Sequence, residues 1–329
     1  MRCRISEGWG LEKPRMRAQV DSRFPLHAGP RHGMIDRSRL QAIVREAGRI
    51  AKASWPGDGH TPEVWEKNPG DPVCEIDLAV DAFLKRELKV LLPAAGWLSE
   101  ETADAPERLA GDLVWLVDPI DGTRDYVRGR RGWAVSVALI NAGRPLFGML
   151  SAPARAQEQG GEFWYGEAGH GSWRNGERLV ASTRQQLAGA RVPAKMMPQE
   201  DADLVMVEQP NSIALRMAMV AADEADLCAT VRWGFEWDIA AAGLIAREAG
   251  AAVTDAFGQP LNYNKQDPRA FGVLVTAPAI HAAAVERLSG RARALAGDES
   301  PLSFTGERGA PTSPAAWPPG PAPARSARS

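Results

Sequence analysis

Two aspartates, Asp118 and Asp121, follow the five apolar residues 113–117. Such a run is typical of a short buried strand. Two carboxylates at a strand end repel each other by about 4 kcal/mol at ~4 Å and an effective dielectric near 20, unless a cation lies between them. A divalent metal removes this repulsion, and carboxylate oxygens suit Mg²⁺. Gly122 and Thr123 come next and offer backbone N–H groups that can donate to a phosphate.

Further acids stand at the ends of other apolar elements. Glu100 and Glu101 follow a short apolar strand pattern, and Asp238 falls where a helix is predicted to begin. Asp71 and Asp77 stand before an amphipathic helical stretch. A negative side chain is favoured at a helix start, so each acid alone is explained by a cap or by surface charge. Four such clusters in one chain favour a shared site.

The acidic motifs together resemble those of the inositol monophosphatase superfamily, a group of Mg²⁺-dependent, lithium-sensitive phosphatases. The resemblance spans roughly residues 35–288 and is carried by Asp71-Pro-Val-x-x-x-Asp77, Ser99-Glu100-Glu101, Asp118-Pro-Ile-Asp121-Gly-Thr123 and Trp237-Asp238-x-Ala-Ala. Within the superfamily the chain is most similar to bacterial 3'(2'),5'-bisphosphate nucleotidases. That likeness rests on residues 98–101, 115–118, 123–127, 236–238 and 258–263.

The resemblance implies an α+β fold, a layered αβαβα sandwich of the sugar-phosphatase type. The residue pattern also favours layered helices and sheets, because strand hairpins are interspersed with helices. Helical spacing covers residues 40–51, 78–91, 213–222, 237–249 and 278–296. Strand patterns cover residues 113–117, 134–140, 146–151, 204–207, 227–231, 252–255 and 271–277. Residues 134–151 are predicted to form a hairpin, and Asn175-Gly176 predicts a second, tight one.

The resemblance also implies a set of Mg²⁺ ligands. Glu100, Asp118 and the backbone carbonyl of Ile120 are expected to hold a first ion. Asp118, Asp121 and Asp238 are expected to hold a second. The cofactor is therefore predicted to be Mg²⁺, as two or three ions.

Catalytic and substrate-binding roles follow from the same resemblance. The nucleophile is expected to be a water oriented by the Thr123 hydroxyl, with Asp77 hydrogen-bonded to Thr123 in turn and Glu100 taking part. The backbone N–H groups of Gly122 and Thr123 are expected to hold the phosphate. Asp121 and Asp238 complete the predicted substrate contacts.

Several of these residues have simpler alternatives. Thr123 is also a suitable turn residue, and Asp77 a suitable helix cap. Glu101 is either close to a third metal ion or at the surface. Lys67 and Arg232 are candidate phosphate contacts, although an isolated basic residue is more often solvated.

The chain departs from the family pattern at informative positions. Cys74 replaces the usual Thr before Asp77, which predicts looser hydrogen bonding around that acid, and Ala251 replaces a usual Gly. Val231 occupies the position of the inositol-binding acid in animal monophosphatases, so inositol phosphate is disfavoured as substrate. Candidate contacts for a second phosphate are Arg124, Arg216 and Arg232, and candidates for stacking on a base are Trp133 and Trp164.

Composition sets the broad class. The 329 residues are 44% hydrophobic and 24% charged, with a formal net charge of −2, which is typical of a globular protein and gives no basis for nucleic-acid binding. Its three cysteines show no metal-ligand or disulfide spacing, which favours a reducing compartment. Since the sequence shows neither a membrane span nor a secretory signal, a cytoplasmic location is predicted. The protein is expected to be a monomer or a homodimer.

Three regions differ in composition. Residues 1–33 lack periodicity and are predicted to be disordered or a mis-assigned extension, with Met34 as an alternative start. Residues 34–297 form the predicted phosphatase domain, with an N-terminal half to about residue 190 and a C-terminal half over 191–297. The Pro- and Ala-rich residues 298–329 are predicted to be disordered.

The predicted function is hydrolysis of a small-molecule phosphate monoester by a 3'(2'),5'-bisphosphate nucleotidase acting on 3'-phosphoadenosine 5'-phosphate. Inositol monophosphatase and histidinol-phosphatase are the alternatives among enzymes. A catalytically quiet phosphate-binding protein is the remote alternative.

Overall fold

The computed structural model describes residues 35–68 and 71–296, which form six α-helices and fourteen β-strands. The helices are α1 (Arg37–Ala53), α2 (Glu75–Leu91), α3 (Thr123–Val127), α4 (Ile213–Ala221), α5 (Glu236–Glu248) and α6 (His281–Ala296). The first seven strands are β1 (Val64–Asn68), β2 (Asp71–Cys74), β3 (Gly96–Ser99), β4 (Leu113–Asp121), β5 (Ala134–Asn141), β6 (Arg144–Ala152) and β7 (Glu162–Glu167). The other seven are β8 (Gly171–Arg174), β9 (Glu177–Arg178), β10 (Arg191–Pro193), β11 (Val205–Val207), β12 (Leu227–Phe235), β13 (Ala252–Thr254) and β14 (Arg269–Thr276).

A seven-stranded sheet in the order β3-β4-β5-β6-β7-β8-β9 forms the larger layer. β3 and β4 are parallel, and the remaining neighbours are antiparallel. The predicted β5–β6 hairpin turns at Ala142 and Gly143, which both have positive φ. The predicted tight turn at Asn175-Gly176 joins β8 to β9, with φ of 50° and 88° as a type I′ turn requires. Both hairpin predictions are confirmed.

The remaining layers stack on the two faces of this sheet. Helices α1 and α2 pack together on one face, around a core of leucines, valines and aromatic rings. Helix α5 lies on the opposite face with α4 beside it, and the small sheet β12-β14-β13 covers these two helices. Helix α6 packs on the outer side of the small sheet. The order is helix, sheet, helix, sheet, helix, so the predicted αβαβα sandwich is confirmed.

Close packing of α5 on the large sheet depends on small residues from both sides. A Cβ at Gly148 of β6 would lie 2.5 Å from the Ala241 carbonyl oxygen, and one at Gly166 of β7 would lie 3.1 Å from Ile245 Cα. Helix α5 contributes the fully buried Ala240, Ala241 and Ala242 to this contact. The sheet and helix backbones therefore approach closely, and this fixes where the first turn of α5 lies.

The structure also contains elements that the sequence did not predict. The β1–β2 hairpin, the short helix α3, and strands β7 and β10 are of this kind. Strand β12 extends beyond the predicted apolar run 227–231 to Phe235, and it contains an irregularity between Thr230 and Trp233. In the described ranges no helix is both long enough and apolar enough to cross a membrane. The predicted terminal extensions lie outside the described residues.

Candidate active site

An irregularity near the end of β4 brings the two central aspartates to one side of the strand. Asp118 pairs with Ser136 of β5, and Asp121 pairs with Ala134, so the two residues between the aspartates oppose a single residue of β5. Residues three apart in a regular strand point to opposite faces, and one extra residue reverses this. Pro119, which lacks an N–H, lies within the bulge. The bulge is also closed by the Ile120 N–H, which donates to Asp118 Oδ1 at 3.0 Å.

Parallel pairing of β3 with β4 places Glu100 next to Asp118. Ser99 pairs with Val117, and the Glu100 N–H continues the ladder by donating to the Val117 carbonyl. Helix α2 holds this loop through the buried Asp81, which accepts from the Ser99 hydroxyl and, at 2.5 Å, from the Thr102 hydroxyl. The two strand ends therefore bring their acids together, as the sequence predicted.

The Asp121 carboxylate lies at the N-terminus of α4. The Ser212 hydroxyl donates to Asp121 Oδ2 at 2.5 Å, and the Ala214 N–H donates to the same oxygen at 2.7 Å. The Ile213 N–H donates to Oδ1 at 3.2 Å. Ser212 caps α4 by accepting from the Leu215 N–H. Ser212 was missed at the sequence level: its type and its place before an apolar run indicate a helix cap, but not a partner 91 residues away.

Asp238 lies in the first turn of α5, where the sequence predicted a helix start. Its Oδ2 accepts from the Phe235 N–H at 3.0 Å. The preceding buried Glu236 accepts from the N–H groups of Asn264 and Lys265 and from Lys265 Nζ. The loop at 264–265 is thereby tied to the base of α5, which holds Asp238 in place.

Asp77 is both a helix cap and a partner of Thr123. Its Oδ2 accepts from the Cys74 N–H at 2.8 Å and from the Cys74 thiol at 2.9 Å. Its Oδ1 lies 3.4 Å from Thr123 Oγ1, which also lies 2.9 Å from the Ile120 carbonyl oxygen. Cys74 therefore keeps two contacts with Asp77, although its thiol is a weaker donor than the hydroxyl of the usual Thr.

Gly122 is required by its backbone and by its surroundings. Its φ is +97°, and a Cβ there would lie 2.7 Å from the Gly132 carbonyl oxygen and 2.9 Å from the Ser212 N–H nitrogen. A residue with a side chain would push α4 away from the end of β4. Gly122 therefore lies directly against Ser212, the residue that caps α4.

The acids of this cluster destabilise one another when ionised. Burial raises the pKa of Asp118 well above its ordinary value, and the nearby Glu100, Asp121, Asp238 and Asp77 raise it further. Burial likewise raises the pKa of Asp238, with Asp121 and Glu100 adding to the effect. The pKa of Asp121 is raised by burial to about 6, although Ser212, the N-terminus of α4 and Arg216 favour its ionised form. A bound cation would offset this repulsion.

The donor set suits a hard divalent cation such as Mg²⁺, because it consists of carboxylate oxygens and the Ile120 carbonyl. In the part of the chain that the structure describes, no three His, Cys, Asp or Glu side chains already form a metal-binding group. The Asp121 carboxylate is turned toward α4 and Asp238 toward the Phe235 N–H. Asp121 Oδ1 and Asp238 Oδ2 each accept one of these hydrogen bonds and keep a second lone pair for a metal. Asp121 Oδ2 accepts two, so the Asp121 carboxylate must turn for that oxygen to reach a metal.

The metal-free protein is expected to become more stable when Asp118 is replaced by Asn. The introduced amide keeps an oxygen for the Ile120 N–H but removes one charge from the cluster. A carboxyl whose pKa is raised by folding stabilises the folded state only while protonated, and this contribution is lost as pH rises through the folded pKa. For Asp121 this contribution is lost over the pH range between its ordinary pKa of 3.8 and its pKa of about 6 in the folded protein.

Thermal unfolding in chelator at pH 8 and pH 5 measures this effect. The Asp118→Asn melting temperature at pH 8 should exceed that of the wild type by at least about 3 °C, near the change expected for 1 kcal/mol. The difference should shrink at pH 5. A lower melting temperature for the variant at pH 8 would show that the acids do not repel one another.

A small cavity of about 80 Å³ adjoins Asp238. It is lined by Ile213 of α4 and by Arg232, Trp233 and Phe235 of β12, among others. Arg232 is exposed and lies close enough to Asp238 to favour its ionised form. Arg232, one of the three candidate arginines, therefore lies in a cavity with a predicted metal ligand.

Other sequence-level candidates lie elsewhere. Arg216 is buried and donates to the Ser212 and Asn211 carbonyl oxygens, so its prediction as a phosphate contact is wrong, while Arg124 lies on the exposed side of α3. Trp133 and Trp164 are buried in the two main cores, and neither can stack on a substrate.

Two further candidate residues are Glu101 and Lys67. Glu101 is 7% exposed, so the surface alternative is wrong for it, and Lys67 has its backbone in β1 but its side chain outside the described part.

The chain matches a known protein family over most of its described length. The sequence model described as the inositol monophosphatase family matches residues 37–292. The chain therefore belongs to the inositol monophosphatase family, whose members hydrolyse phosphate monoesters.

Relatives within the family carry different names. The chain is 31% identical to the fructose-1,6-bisphosphatase/inositol-1-monophosphatase of Thermotoga maritima over 230 residues, which is 67% of this chain and 84% of that one. It is also 31% identical to the 3'(2'),5'-bisphosphate nucleotidase CysQ of Escherichia coli over 222 residues, which is 64% of this chain and 87% of that one. A solved structure of the Thermotoga maritima IMPase superposes with a TM-score of 0.65 at 27% identity, covering 77% of this chain and 96% of that one.

Proposed function

We propose that this protein is a Mg²⁺-dependent 3'(2'),5'-bisphosphate nucleotidase that removes the 3'-phosphate of 3'-phosphoadenosine 5'-phosphate. The proposal is carried by the position of Arg232 in the cavity beside Asp238. A substrate whose reacting phosphate lies at the acid cluster has its remaining groups directed to this cavity. An arginine there suits a second phosphate, because the guanidinium donates in pairs to phosphate oxygens.

The surroundings of Val231 support the same choice. Val231 continues the alternation of Leu227 and Ala229 along β12 and lines a second cavity of about 170 Å³ under α6, not the Asp238 cavity. No carboxylate other than Asp238 lines the first cavity among the described residues. A site that discriminates for inositol would need hydrogen-bond acceptors for its hydroxyl groups. The cavity presents Arg232 instead.

The residues of the cluster have separable roles in this proposal. Glu100, Asp118, the Ile120 carbonyl, Asp121 and Asp238 would hold the metal. Bound Mg²⁺ would supply neutralisation of the phosphate charge and activation of water.

The protein's own groups would orient the reactants. Thr123 Oγ1 lies between Asp77 Oδ1 and the Ile120 carbonyl oxygen, and we infer that it orients the attacking water, with Asp77 fixing its hydroxyl. The N–H groups of Gly122 and Thr123 would donate to the phosphate. Glu101, which is buried next to Glu100, would serve a further metal ion.

Inositol monophosphatase is the alternative, because a relative with that name is as similar as the nucleotidase. Steady-state kinetics on 3'-phosphoadenosine 5'-phosphate, 3'-AMP and inositol 1-phosphate separate the two. The bisphosphate should be hydrolysed with a kcat/KM at least about tenfold above that of inositol 1-phosphate, which is about 1.4 kcal/mol in transition-state terms. A tenfold preference for inositol 1-phosphate would refute the proposed nucleotidase activity, while the proposal of a metal-dependent phosphatase would remain.

Replacing Arg232 by Ala is expected to remove the benefit of the second phosphate. kcat/KM for 3'-phosphoadenosine 5'-phosphate should fall by about tenfold, as for the loss of one exposed charge-assisted contact. The value for 3'-AMP, which lacks the 5'-phosphate, should change by less than about twofold. Arg49→Ala on the exposed side of α1 is the matched control and should alter neither. Equal losses on both nucleotides would show that Arg232 does not contact the second phosphate.

A further inference from the structure

Phe235 is an exposed aromatic residue at the edge of the candidate active site. Its side chain is 39% exposed, and among the aromatic residues that the structure describes only Trp65 is also exposed. Phe235 lines the Asp238 cavity together with Arg232 and Trp233. Its place in a cavity is what matters, because ligand pockets are lined mainly by hydrophobic and aromatic side chains.

The backbone and the ring of Phe235 have separate partners. The backbone N–H donates to Asp238 Oδ2, as it would with any side chain at this position. The ring stacks on Trp237, with centroids 4.4 Å apart and planes 5° from parallel. Because Trp237 is buried, one face of the Phe235 ring is covered and its orientation is fixed. Because Phe235 is partly exposed and also lines the cavity, its ring is open to a group bound there.

Trp233, the other aromatic residue that lines this cavity, already contacts two neighbouring side chains. It packs edge-on against Phe271 at 5.3 Å, and the Arg269 guanidinium lies 5.0 Å from its centroid. Phe235 is therefore the ring that can accept a further planar group. A flat group placed on it would extend the Phe235–Trp237 stack by one ring, at little entropic cost because Phe235 is already held.

We propose that Phe235 is a specificity-determining residue that selects phosphate esters with an aromatic leaving group by stacking on its ring. That the ring is a nucleobase rests on the proposed function, whereas the stacking itself does not. In this arrangement the reacting phosphate lies at the acid cluster, the second phosphate at Arg232 and the ring on Phe235. The N–H to Asp238 ties the stacking residue directly to a predicted metal ligand.

Two substrate pairs test the proposal, each on wild type, Phe235→Leu and Phe235→Tyr. The first pair is 3'-phosphoadenosine 5'-phosphate and the abasic sugar bisphosphate in which hydrogen replaces the base. The second pair is 1-naphthyl phosphate and glycerol 2-phosphate, which contain no nucleotide. The readout is the ratio of kcat/KM values within a pair, which does not depend on how much of a preparation is folded. Met206→Ala, an exposed apolar residue on β11, is the control.

Phe235→Leu keeps an apolar side chain but removes the ring, so both ratios should fall by about tenfold, the order expected for one stacked base. The loss should appear mainly in KM, since stacking is equal in the ground and transition states. Phe235→Tyr should retain both ratios, and Met206→Ala should change neither.

The outcomes distinguish this inference from the proposed function. In one outcome, inositol 1-phosphate proves the best substrate while the kcat/KM ratio of 1-naphthyl phosphate to glycerol 2-phosphate still falls in Phe235→Leu. That result would refute the proposed nucleotidase activity and support the stacking role of Phe235. If the bisphosphate nucleotide is preferred and neither ratio changes in Phe235→Leu, the nucleotidase stands and the stacking role is overturned.

Discussion

Removal of divalent metal is expected to abolish phosphate-ester hydrolysis, with a loss of at least about 10³-fold, or about 4 kcal/mol in transition-state stabilisation. The reason lies in the buried cluster around Asp118, whose pKa is raised by burial and by the charges of Glu100, Asp121, Asp238 and Asp77. Without a counter-ion the cluster would repel a phosphate. Mg²⁺ bound to the same carboxylate oxygens would instead attract the phosphate through its positive charge.

Dialysis against chelator, followed by addition of Mg²⁺, measures this dependence on 3'-phosphoadenosine 5'-phosphate. Activity should vanish and return in full, while far-UV circular dichroism stays unchanged. The fold is expected to persist because its layers are held by the apolar cores and not by the acids. Full turnover after complete removal of divalent metal would contradict the mechanism.

The second large effect is expected from Asp121→Asn and Asp238→Asn, which should each lower kcat by about 10³-fold. Each change removes one anionic metal ligand while keeping the size of the side chain. Asp238→Asn is the cleaner variant, because its one described hydrogen bond, from the Phe235 N–H, can be accepted by the remaining oxygen. Asp121→Asn also disturbs the N-terminus of α4, at a cost typical of a helix cap, about 1 kcal/mol.

Asp226→Asn is a matched control, for which a loss of stability without a loss of turnover is expected. Asp226 is buried and bonded to Arg191 and Ser182, and these partners hold its pKa at about 2 despite the opposing effect of burial. A carboxyl of this kind stabilises the fold above its ordinary pKa, and the contribution is lost as pH falls through about 2. Asp226→Asn should lower the melting temperature and leave kcat unchanged.

Near wild-type turnover in Asp238→Asn at moderate Mg²⁺ would refute the assignment of Asp238 as a metal ligand.

The elements could largely be predicted from the sequence, because their patterns are local. The helices α1, α2, α4, α5 and α6 and the β5–β6 hairpin follow from residue spacing and turn residues. The stacking of the layers came from the family resemblance and is confirmed. The acids were placed at strand and helix ends from local patterns: Glu100 and Asp118 follow apolar runs, and Asp77 and Asp238 stand where helices are predicted to begin.

Long-range contacts account for what the sequence did not show. The bond between Ser212 and Asp121 joins residues far apart in the chain, and nothing in either local pattern indicates it. Arg216 was predicted to be a substrate contact, but the helix it lies on turns it inward, where backbone carbonyl oxygens accept from it. Alternation along β12 places Val231 with Leu227 and Ala229 in the cavity under α6 and Arg232 in the cavity of Asp238, and the packing of the layers decides which face of the strand meets which helix.

The most direct test of the metal site is a crystal structure of the protein grown with Mn²⁺ in place of Mg²⁺, with the ions located by anomalous scattering. We predict one peak among Asp118, Glu100 and the Ile120 carbonyl, and a second among Asp118, Asp121 and Asp238. The Asp121 carboxylate should turn partly from the N-terminus of α4 toward the second ion. Peaks confined to other parts of the surface, from a preparation whose activity depends on Mn²⁺, would contradict the assignment of this acid cluster as the active site.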